Sequence, residues 1–228
     1  MKYLLCLATL FTLCLPVSPA SAENKVVVIP LNSSKYAPGG VSTVISAEGK
    51  VWMDRNLGAL RVATKSADPD SYGTLYQWGR GGDGHEYRSS PTVSMQSSSD
   101  QPNHGSFITE FNDWRSTPSN NLWQGESGPN NPCPAGFRLP TASEWQIEIA
   151  SWSSRDSAGA FASPLRLSAA GYRSNTDGSL KLVGGLGSYW SSTVDGNRSY
   201  YYDFGSGYST EYLSNRRASG RSIRCLQD

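Results

Sequence analysis

The residues of this chain that suit acid, base or metal chemistry are few. His85 and His104 are the only histidines, and His85 lies within Asp83-Gly84-His85-Glu86. That composition suits a metal ion, but a surface turn is the stronger interpretation because no ligand spacing accompanies it. No Gly-x-Ser-x-Gly nucleophile motif and no phosphate-binding glycine motif occurs. The sequence therefore predicts no catalytic residue, no metal site and no cofactor.

Chemistry of another kind is concentrated between Asp195 and Arg217. Tyr, Ser and Asn dominate this segment. Tyr offers rigid amphipathic contact area, while Ser and Asn offer adaptable hydrogen bonds. We therefore predict a ligand-binding face made of Asp195, Asn197, Arg198, Ser199, Tyr201, Asp203, Ser206, Tyr208, Ser209, Tyr212, Ser214, Asn215 and Arg217. A polar loop that connects two strands is the alternative interpretation.

Strand periodicity predicts how part of this segment is oriented. Consecutive side chains in a strand point to opposite faces. If Tyr200, Tyr202 and Phe204 point inward, Tyr201 and Asp203 point outward, where a ligand would meet them.

The N-terminus has the pattern of a secretory signal peptide. Lys2 precedes the apolar run Leu4 to Leu15, and Ala20-Ser21-Ala22 follows it. The run is shorter than the roughly 20 residues of a membrane-spanning helix. We expect residues 1–22 to be the signal and residues 23–228 to form one domain that is secreted or held at the cell surface.

Two alternatives to a cleaved signal remain open. The apolar run is also compatible with a buried element at the start of the fold. Cys14 is compatible with a lipid anchor, although Leu13 stands where such a signal normally has Gly, Ala or Ser.

The predicted compartment determines whether the cysteines are expected to be paired. Cys6 and Cys14 lie within the signal, so Cys133 and Cys225 remain in the mature chain. Two cysteines in an oxidising compartment have one intramolecular pairing, and we predict that disulfide. Two free thiols are the alternative.

The charge balance argues against two classes of partner. The chain has 20 Lys and Arg against 19 Asp and Glu. Such a surface lacks the basic footprint that nucleic acids or anionic membranes attract. After the signal, no apolar run approaches membrane-spanning length.

The clearest predicted element is a helix that begins at Thr141. Thr141-Ala142-Ser143-Glu144 is a capping box. Trp145, Ile149 and Trp152 follow at helical spacing and are expected in the core.

Strands account for most of the remaining predicted elements. A hairpin is expected over residues 42–54, and the Gly-rich, Ser-rich and Asn-rich residues 80–132 are expected as packed loops with a short helix around Phe107 to Trp114. Residues 72–79 are expected as a short helix or irregular segment. The other expected strands are 26–29, 165–172, 180–183, 189–193, 200–204 and 222–226, with a turn at 175–178. The predicted fold class is α+β with mostly antiparallel strands.

Four sequence blocks carry a resemblance to a known family. They are 49–57 (Gly-Lys-Val-Trp-Met, then Asn-Leu), 72–78 (Tyr-Gly-Thr-Leu-Tyr-Gln-Trp), 133–145 (Cys-Pro-Ala-Gly-Phe-Arg-Leu-Pro-Thr, then Glu-Trp) and 189–225 (Tyr-Trp-Ser-Ser-Thr, ending Ser-Ile-Arg-Cys). Over about Val44 to Cys225 the chain resembles the Fibrobacter succinogenes major paralogous domain family, whose fold is similar to the C-type-lectin-like fold.

The resemblance implies an exported or surface domain without an assigned activity. Some C-type-lectin-like proteins are variable proteins of diversity-generating retroelements, which rewrite a C-terminal binding segment over a constant scaffold. Residues 195–217 are compatible with that subset. The expected ligand is a protein or glycan outside the cell. A fimbrial or envelope structural protein and an enzyme similar to formylglycine-generating enzymes are the alternatives.

Two further expectations concern single side chains. Trp52, Trp78, Trp145 and Trp190 lie in apolar patterns and are expected in the core, whereas Trp123 is the best candidate for an exposed aromatic residue. One of Arg138 and Arg224, which flank the expected disulfide, should make buried polar pairs.

Overall fold

The computed structural model describes residues 40–110 and 112–228; for Glu211 and Tyr212 it describes the backbone alone. The signal peptide predicted over residues 1–22 and the strand predicted over residues 26–29 lie outside the described residues. In the described part of the chain, no helix has the length and apolar character needed to cross a membrane.

Short strands make up most of the regular structure. They are β1 (Thr43–Ile45), β2 (Val51–Met53), β3 (Tyr76–Gln77), β4 (Thr92–Val93), β5 (Phe107–Ile108), β6 (Phe137–Arg138), β7 (Tyr172–Arg173), β8 (Leu180–Lys181), β9 (Gly187–Asp195), β10 (Arg198–Gly205), β11 (Tyr208–Arg216), β12 (Gly220–Arg221) and β13 (Leu226–Gln227). The helices are a 3₁₀ turn (Pro69–Ser71), α1 (Ala142–Ala150) and α2 (Ser157–Ala162).

The strands form four sheets within the described residues. Their orders are β1-β2-β13-β6, β11-β10-β9, β3-β12-β7-β8 and β4-β5. Only the β4–β5 pair of named strands is parallel. The predicted class, α+β with mostly antiparallel strands, is confirmed.

The N-terminal hairpin forms as predicted. Val44 lies opposite Trp52, and Thr43 lies opposite Met53. Gly49 occupies the turn with a φ of 77°, in the left-handed region that glycine adopts without a steric penalty. β13 then adds to β2, so the hairpin forms one sheet with the C-terminal strand.

Helix α1 begins with the predicted capping box. The Thr141 hydroxyl accepts a hydrogen bond from the Glu144 backbone N–H, and the Glu144 carboxylate accepts one from the Thr141 N–H at 2.8 Å. Arg138 donates to both carboxylate oxygens of Glu144, at 2.8 and 2.9 Å. Burial opposes ionisation of Glu144, but the bonds from Arg138 and Thr141 outweigh it and lower the pKa to about 2. The start of the helix is thereby fixed to β6.

Helix α2 was not among the predicted elements. The Asp156 carboxylate accepts hydrogen bonds from the N–H groups of Ala158 and Gly159, at 3.0 and 2.9 Å. This is an ordinary N-cap. The helix is only six residues long, and so short an element shows little periodicity in sequence.

The three-stranded sheet β9–β10–β11, called the meander below, separates two aromatic clusters. On one face, Tyr189, Tyr202 and Phe204 pack with Trp145 and Trp152. The Tyr189 and Phe204 rings are stacked with centroids 5.7 Å apart. The condition on which the strand's orientation was predicted holds for Tyr202 and Phe204, which are buried, whereas Tyr200 is half-buried.

The opposite face of the meander is also covered. Trp190 and Tyr201 pack there with Trp78, Trp123 and the disulfide. The Trp78 and Trp123 rings lie 5.4 Å apart, and Trp123 is fully buried with its Nε1–H donating to the Asn130 carbonyl at 2.9 Å. The prediction that Trp123 is exposed was therefore wrong, because its polar neighbours fold back over the ring.

The predicted disulfide joins Cys133 to Cys225, whose Cα atoms are 5.9 Å apart. It connects the loop before β6 to the residue that precedes β13. Beside it, Arg224 is buried as expected of one of the two flanking arginines. Its guanidinium donates to the Asn56 side chain at 2.9 Å and to the Leu165 carbonyl at 2.6 Å.

Three predicted elements have a different conformation. The strand expected over residues 222–226 is interrupted, because residues 223–225 are not in a strand and separate β12 from β13. The helix expected around Phe107 to Trp114 is replaced by β5, because the Gln77 amide hydrogen-bonds both the N–H and the carbonyl of Ile108 and holds it extended. The strand expected over residues 165–172 is reduced to β7 at its end. Upstream, the Tyr189 hydroxyl accepts a hydrogen bond from the Ser168 N–H and donates one to the Ser168 carbonyl. Neither backbone group is then available to a neighbouring strand.

Gly187 supports the aromatic face of the meander through its lack of a side chain. A Cβ atom there would lie 2.1 Å from Cζ of Phe204, the residue opposite Gly187 on β10. We expect Gly187→Ala to lower the free energy of unfolding by about 1–3 kcal/mol, because the ring must leave a packed position. Urea denaturation measures the change.

Gly81→Ala is the matched control for this substitution. A Cβ at Gly81 meets nothing within 4 Å, and Gly81 has no left-handed φ. Equal stabilities of the two variants would show that Phe204 moves aside without cost and would contradict the prediction.

Candidate ligand-binding groove

The meander distributes the predicted ligand residues between its two ends. The β9–β10 turn joins Asp195 to Arg198, and the β10–β11 turn joins Gly205 to Tyr208. At about 3.3 Å per residue along β10, these turns lie roughly 23 Å apart. Asp195, Asn197 and Arg198 are exposed at one end, and Ser206 and Tyr208 at the other. The residues predicted as one face therefore do not converge on one ligand.

Tyr201 does not face solvent as predicted. Its side chain points away from Tyr202, as alternation requires, yet it is only 8% exposed. The ring packs edge-on against Trp190, and the Arg221 guanidinium lies 3.5 Å from its centroid. Asp203 is half-buried, and Arg221 lies 3.3 Å from its carboxylate. Both side chains hold Arg221 inside the scaffold, which is a structural role.

Ser199 and Arg217 are also buried, against the prediction. Arg217 donates to the carbonyls of Gly196 and Arg198 in the β9–β10 turn, at 3.1 and 3.2 Å. It also donates to the Ser199 hydroxyl at 3.2 Å and to the Ser119 carbonyl at 3.0 Å. Because this one guanidinium binds both the turn and the neighbouring loop, it fixes the distance between them.

The remaining predicted residues lie along β11 or at its turn. Ser209, Ser214 and Asn215 are half-buried, and the Asn215 side-chain oxygen accepts the Arg216 N–H at 2.7 Å. The side chain of Tyr212 lies outside the described atoms. β11 itself was not predicted as a strand, since its polar composition suggests a loop.

A groove of about 410 Å³ lies beside the β9–β10 turn. Asn197, Arg198 and Arg216 line it from the meander. The facing loop contributes Asn112, Asp113, Arg115, Ser116 and Pro118, together with Gln96. The volume of the groove is within the range of about 300–1,000 Å³ that is usual for small-molecule sites. We call it the arginine groove.

The facing loop is held by buried side chains. Trp114 is fully buried, and its Nε1–H donates to the Trp78 carbonyl at 2.7 Å. The Gln96 amide donates to the carbonyls of Asp113 and Arg115, at 2.8 and 3.2 Å. The loop therefore presents a fixed wall. This wall was missed from the sequence, where the buried Trp114 was the one available signal.

Positive charge collects in the arginine groove. Arg198 lies directly opposite Arg216 in the β10–β11 ladder, so the two side chains share one face. The nearest acid in the lining, Asp113, lies 3.8 Å from the buried Arg217, and burial raises the pKa of its carboxyl. Asp195 lies directly opposite Arg198 in the β9–β10 ladder, so an acidic side chain flanks this arginine. The groove thus suits a polar ligand.

Asp83, His85 and Glu86 form the one acidic and histidine cluster in the described residues whose atoms are close enough to share a metal ion. His85 is fully buried, so the surface turn predicted for it was wrong. Its Nδ1 lies 2.7 Å from the Asp83 carboxylate, and its Nε2 accepts the Gln77 backbone N–H at 3.1 Å. Both ring nitrogens are therefore already used, and the cluster serves the fold rather than a metal.

No protein-family model, curated protein or solved structure matches this chain. The site is therefore assigned from its own geometry.

Proposed function

We propose that this protein is an exported ligand-binding domain whose ligand contacts lie in the arginine groove. The observation that carries the proposal is the meeting of exposed residues of the β9–β10 turn with a fixed second wall. Asp195, Asn197 and Arg198 are held over two buried aromatic clusters. A rigid base with exposed polar contacts is the arrangement that recognition requires, since little freedom is lost on binding.

The framework is compatible with the C-type-lectin-like fold that the sequence blocks suggest. The capped helix, the antiparallel sheets and the disulfide support that finer assignment. Secretion or display at the cell surface is proposed from the signal-like N-terminus. A disulfide at Cys133 and Cys225 is consistent with that compartment, and it leaves neither cysteine as the thiol that formylglycine-type oxidation needs.

The exposed turn also suits a segment whose sequence varies. Asp195, Asn197 and Arg198 have exposed side chains, and substitutions at such positions usually change stability by less than about 0.5 kcal/mol. Retroelement-driven diversification, if it acts on this gene, would be tolerated there. It would be tolerated less at Tyr201 and Arg217, which are part of the core.

A structural role in a fimbria or envelope is the second candidate. One surface favours it, because Leu180, Leu182 and Val183 are 40%, 61% and 46% exposed beside β8. Contiguous exposed apolar residues commonly contact another protein. This surface is separate from the residues that line the groove.

The proposed function is tested by ligand selection on the wild-type domain, followed by variants. Ligands are selected from a glycan array and from a displayed peptide library. We expect Asn197→Ala with Arg198→Ala to weaken capture of the selected ligands at least tenfold, because both side chains line the groove.

Ser206→Ala with Tyr208→Ala, at the other turn, is the matched control. It should leave capture unchanged, and both double variants should keep the unfolding midpoint of the wild type. Loss of capture in the control alone would move the site to the β10–β11 end and contradict the proposal.

A further inference from the structure

We infer that Arg217 is the positioning residue of the arginine groove: it sets the width of the groove before a ligand arrives and so governs the rate of binding. This inference rests on the proposed function and explains how its site is kept ready. Arg217 is only 1% exposed and does not line the groove, so it acts through its neighbours rather than by touching a ligand.

The meander wall is held on both sides of Asn197, which lines the groove. Nη2 of Arg217 donates to the carbonyls of Gly196 and Arg198, the residues directly before and after it, at 3.1 and 3.2 Å. Nε of Arg217 donates to the Ser199 hydroxyl at 3.2 Å. These bonds fix the backbone from which the Asn197 and Arg198 side chains project.

The loop wall is held by the same guanidinium. Nη1 of Arg217 donates to the Ser119 carbonyl at 3.0 Å, and Nη2 donates to the side-chain oxygen of Asn120. Ser119 directly follows Pro118, which lines the groove from the loop. One side chain therefore connects the two walls.

Trp78 gives both walls a common support. The guanidinium carbon of Arg217 lies 4.4 Å from the centroid of the Trp78 ring, and the Trp78 N–H donates to the Arg217 carbonyl at 3.0 Å. The Trp78 carbonyl accepts the hydrogen bond from Trp114 on the loop. Because Trp78 is fully buried, the spacing of the walls is set by the core and not by a ligand.

The arrangement requires arginine rather than any cation. A guanidinium spreads five N–H donors over three nitrogen atoms, whereas a lysine has its donors on a single atom. All three nitrogen atoms of Arg217 donate here. Arg217→Lys keeps the charge but loses the fork that reaches both walls. Only a fraction of the molecules then has the groove at its binding width, and the apparent affinity falls by that fraction.

The first test needs no ligand. Nitroxide labels are attached through Ser116→Cys and Asn197→Cys, one on each wall, and dipolar electron paramagnetic resonance measures the distance between them. We expect Arg217→Lys to broaden the distance distribution. The matched control is Arg224→Lys, which changes an equally buried arginine outside the groove and should keep the distribution narrow. A narrow distribution in Arg217→Lys, or equal broadening in both variants, overturns the inference.

The second test measures binding kinetics with the glycan or peptide that the wild-type domain selects most tightly. In Arg217→Lys we expect the association rate constant to fall about fivefold or more, and the dissociation rate constant to stay within about twofold, because the contacts made after binding are the same. Asn197→Ala with Arg198→Ala removes contacts and should raise the dissociation rate constant instead. An unchanged association rate constant in Arg217→Lys, or a raised dissociation rate constant like that of the double variant, overturns the inference.

Two further results keep the inference separate from folding and from the proposed function. If Arg217→Lys does not fold, Asn120→Ala removes one of the bonds at an exposed residue and should change both measurements in the same direction; unchanged values overturn the inference. If Asn197→Ala with Arg198→Ala leaves capture unchanged, the proposed function fails. If that double variant loses capture while Arg217→Lys binds as the wild type does, the inference alone fails.

Discussion

Replacing Cys133 and Cys225 together by alanine is expected to lower the free energy of unfolding by up to about 4.5 kcal/mol. The disulfide closes a loop with a sequence separation of 92 residues. The chain-entropy estimate for a loop of that length gives the figure, because the bond restricts the unfolded chain. Domains of this kind are commonly stable by about 5–15 kcal/mol, so the bond accounts for a large fraction of the stability.

Thermal and urea unfolding with and without a reductant provide the control for the cysteine variant. Reductant should destabilise the wild type to about the level of the double alanine variant and leave that variant unchanged. If reductant destabilises both proteins equally, the effect does not arise from this bond and the prediction fails.

Titration of His85 is expected to contribute a loss of about 3 kcal/mol of stability as the pH falls from 6.5 to 4. Burial is the main cause that lowers the pKa of His85, to about 4, against 6.5 for an ordinary histidine. The Asp83 carboxylate favours the protonated ring, while Arg80 and Arg173 oppose it. The unfolded chain therefore binds a proton on this side chain between pH 6.5 and 4 when the folded chain does not.

The sign and size of this pH effect follow from that difference. Stability falls as the pH falls from 6.5 to 4, at up to about 1.4 kcal/mol per pH unit. Other groups have the opposite effect. Burial raises the pKa of the carboxyls of Asp113, Glu148 and Asp203, which favours proton binding by the folded state.

A comparison of variants isolates the contribution of His85. In His85→Gln, urea midpoints measured between pH 4 and 6.5 should give a flatter curve than the wild type. Gly187→Ala, which keeps His85, should give a lower curve parallel to the wild type. Parallel curves for all three proteins would show that His85 does not titrate in this range on unfolding.

The sequence was most informative about features that depend on a few adjacent residues or that allow only one arrangement. The capping box at Thr141 involves residues three apart, and the hairpin turn at Gly49 is similarly short. The two cysteines outside the predicted signal have one pairing. The first two features depend on neighbours in the chain, and the disulfide had only one possible pairing, so all three were predicted correctly.

Tyr201 shows why the predicted face was wrong in part. Alternation correctly placed it on the side opposite Tyr202, but a strand pattern does not say what covers that side. Trp190 and Arg221 cover it, and the cluster to which Trp190 belongs also includes Trp78 and Trp123 from distant parts of the chain. Long-range packing of this kind has no period in the sequence.

The groove was partly predicted for the same reason. Asn197 and Arg198 belong to an evident turn, whereas Gln96 and Arg115 belong to a loop that reaches the turn only after folding. Arg217 is of a residue type that is common in binding sites, but it is as buried as a core residue. Residue type alone does not distinguish these roles for arginine, which both buried networks and binding surfaces use.

The distance between the two turns of the meander has a practical consequence. Ser206 and Gly207 are exposed at the tip remote from the arginine groove. An epitope tag inserted between them would leave the groove unobstructed. Attached to a sensor chip through that tag, every molecule would present the groove in the same orientation, so weak ligand affinities would be measured on a uniform surface.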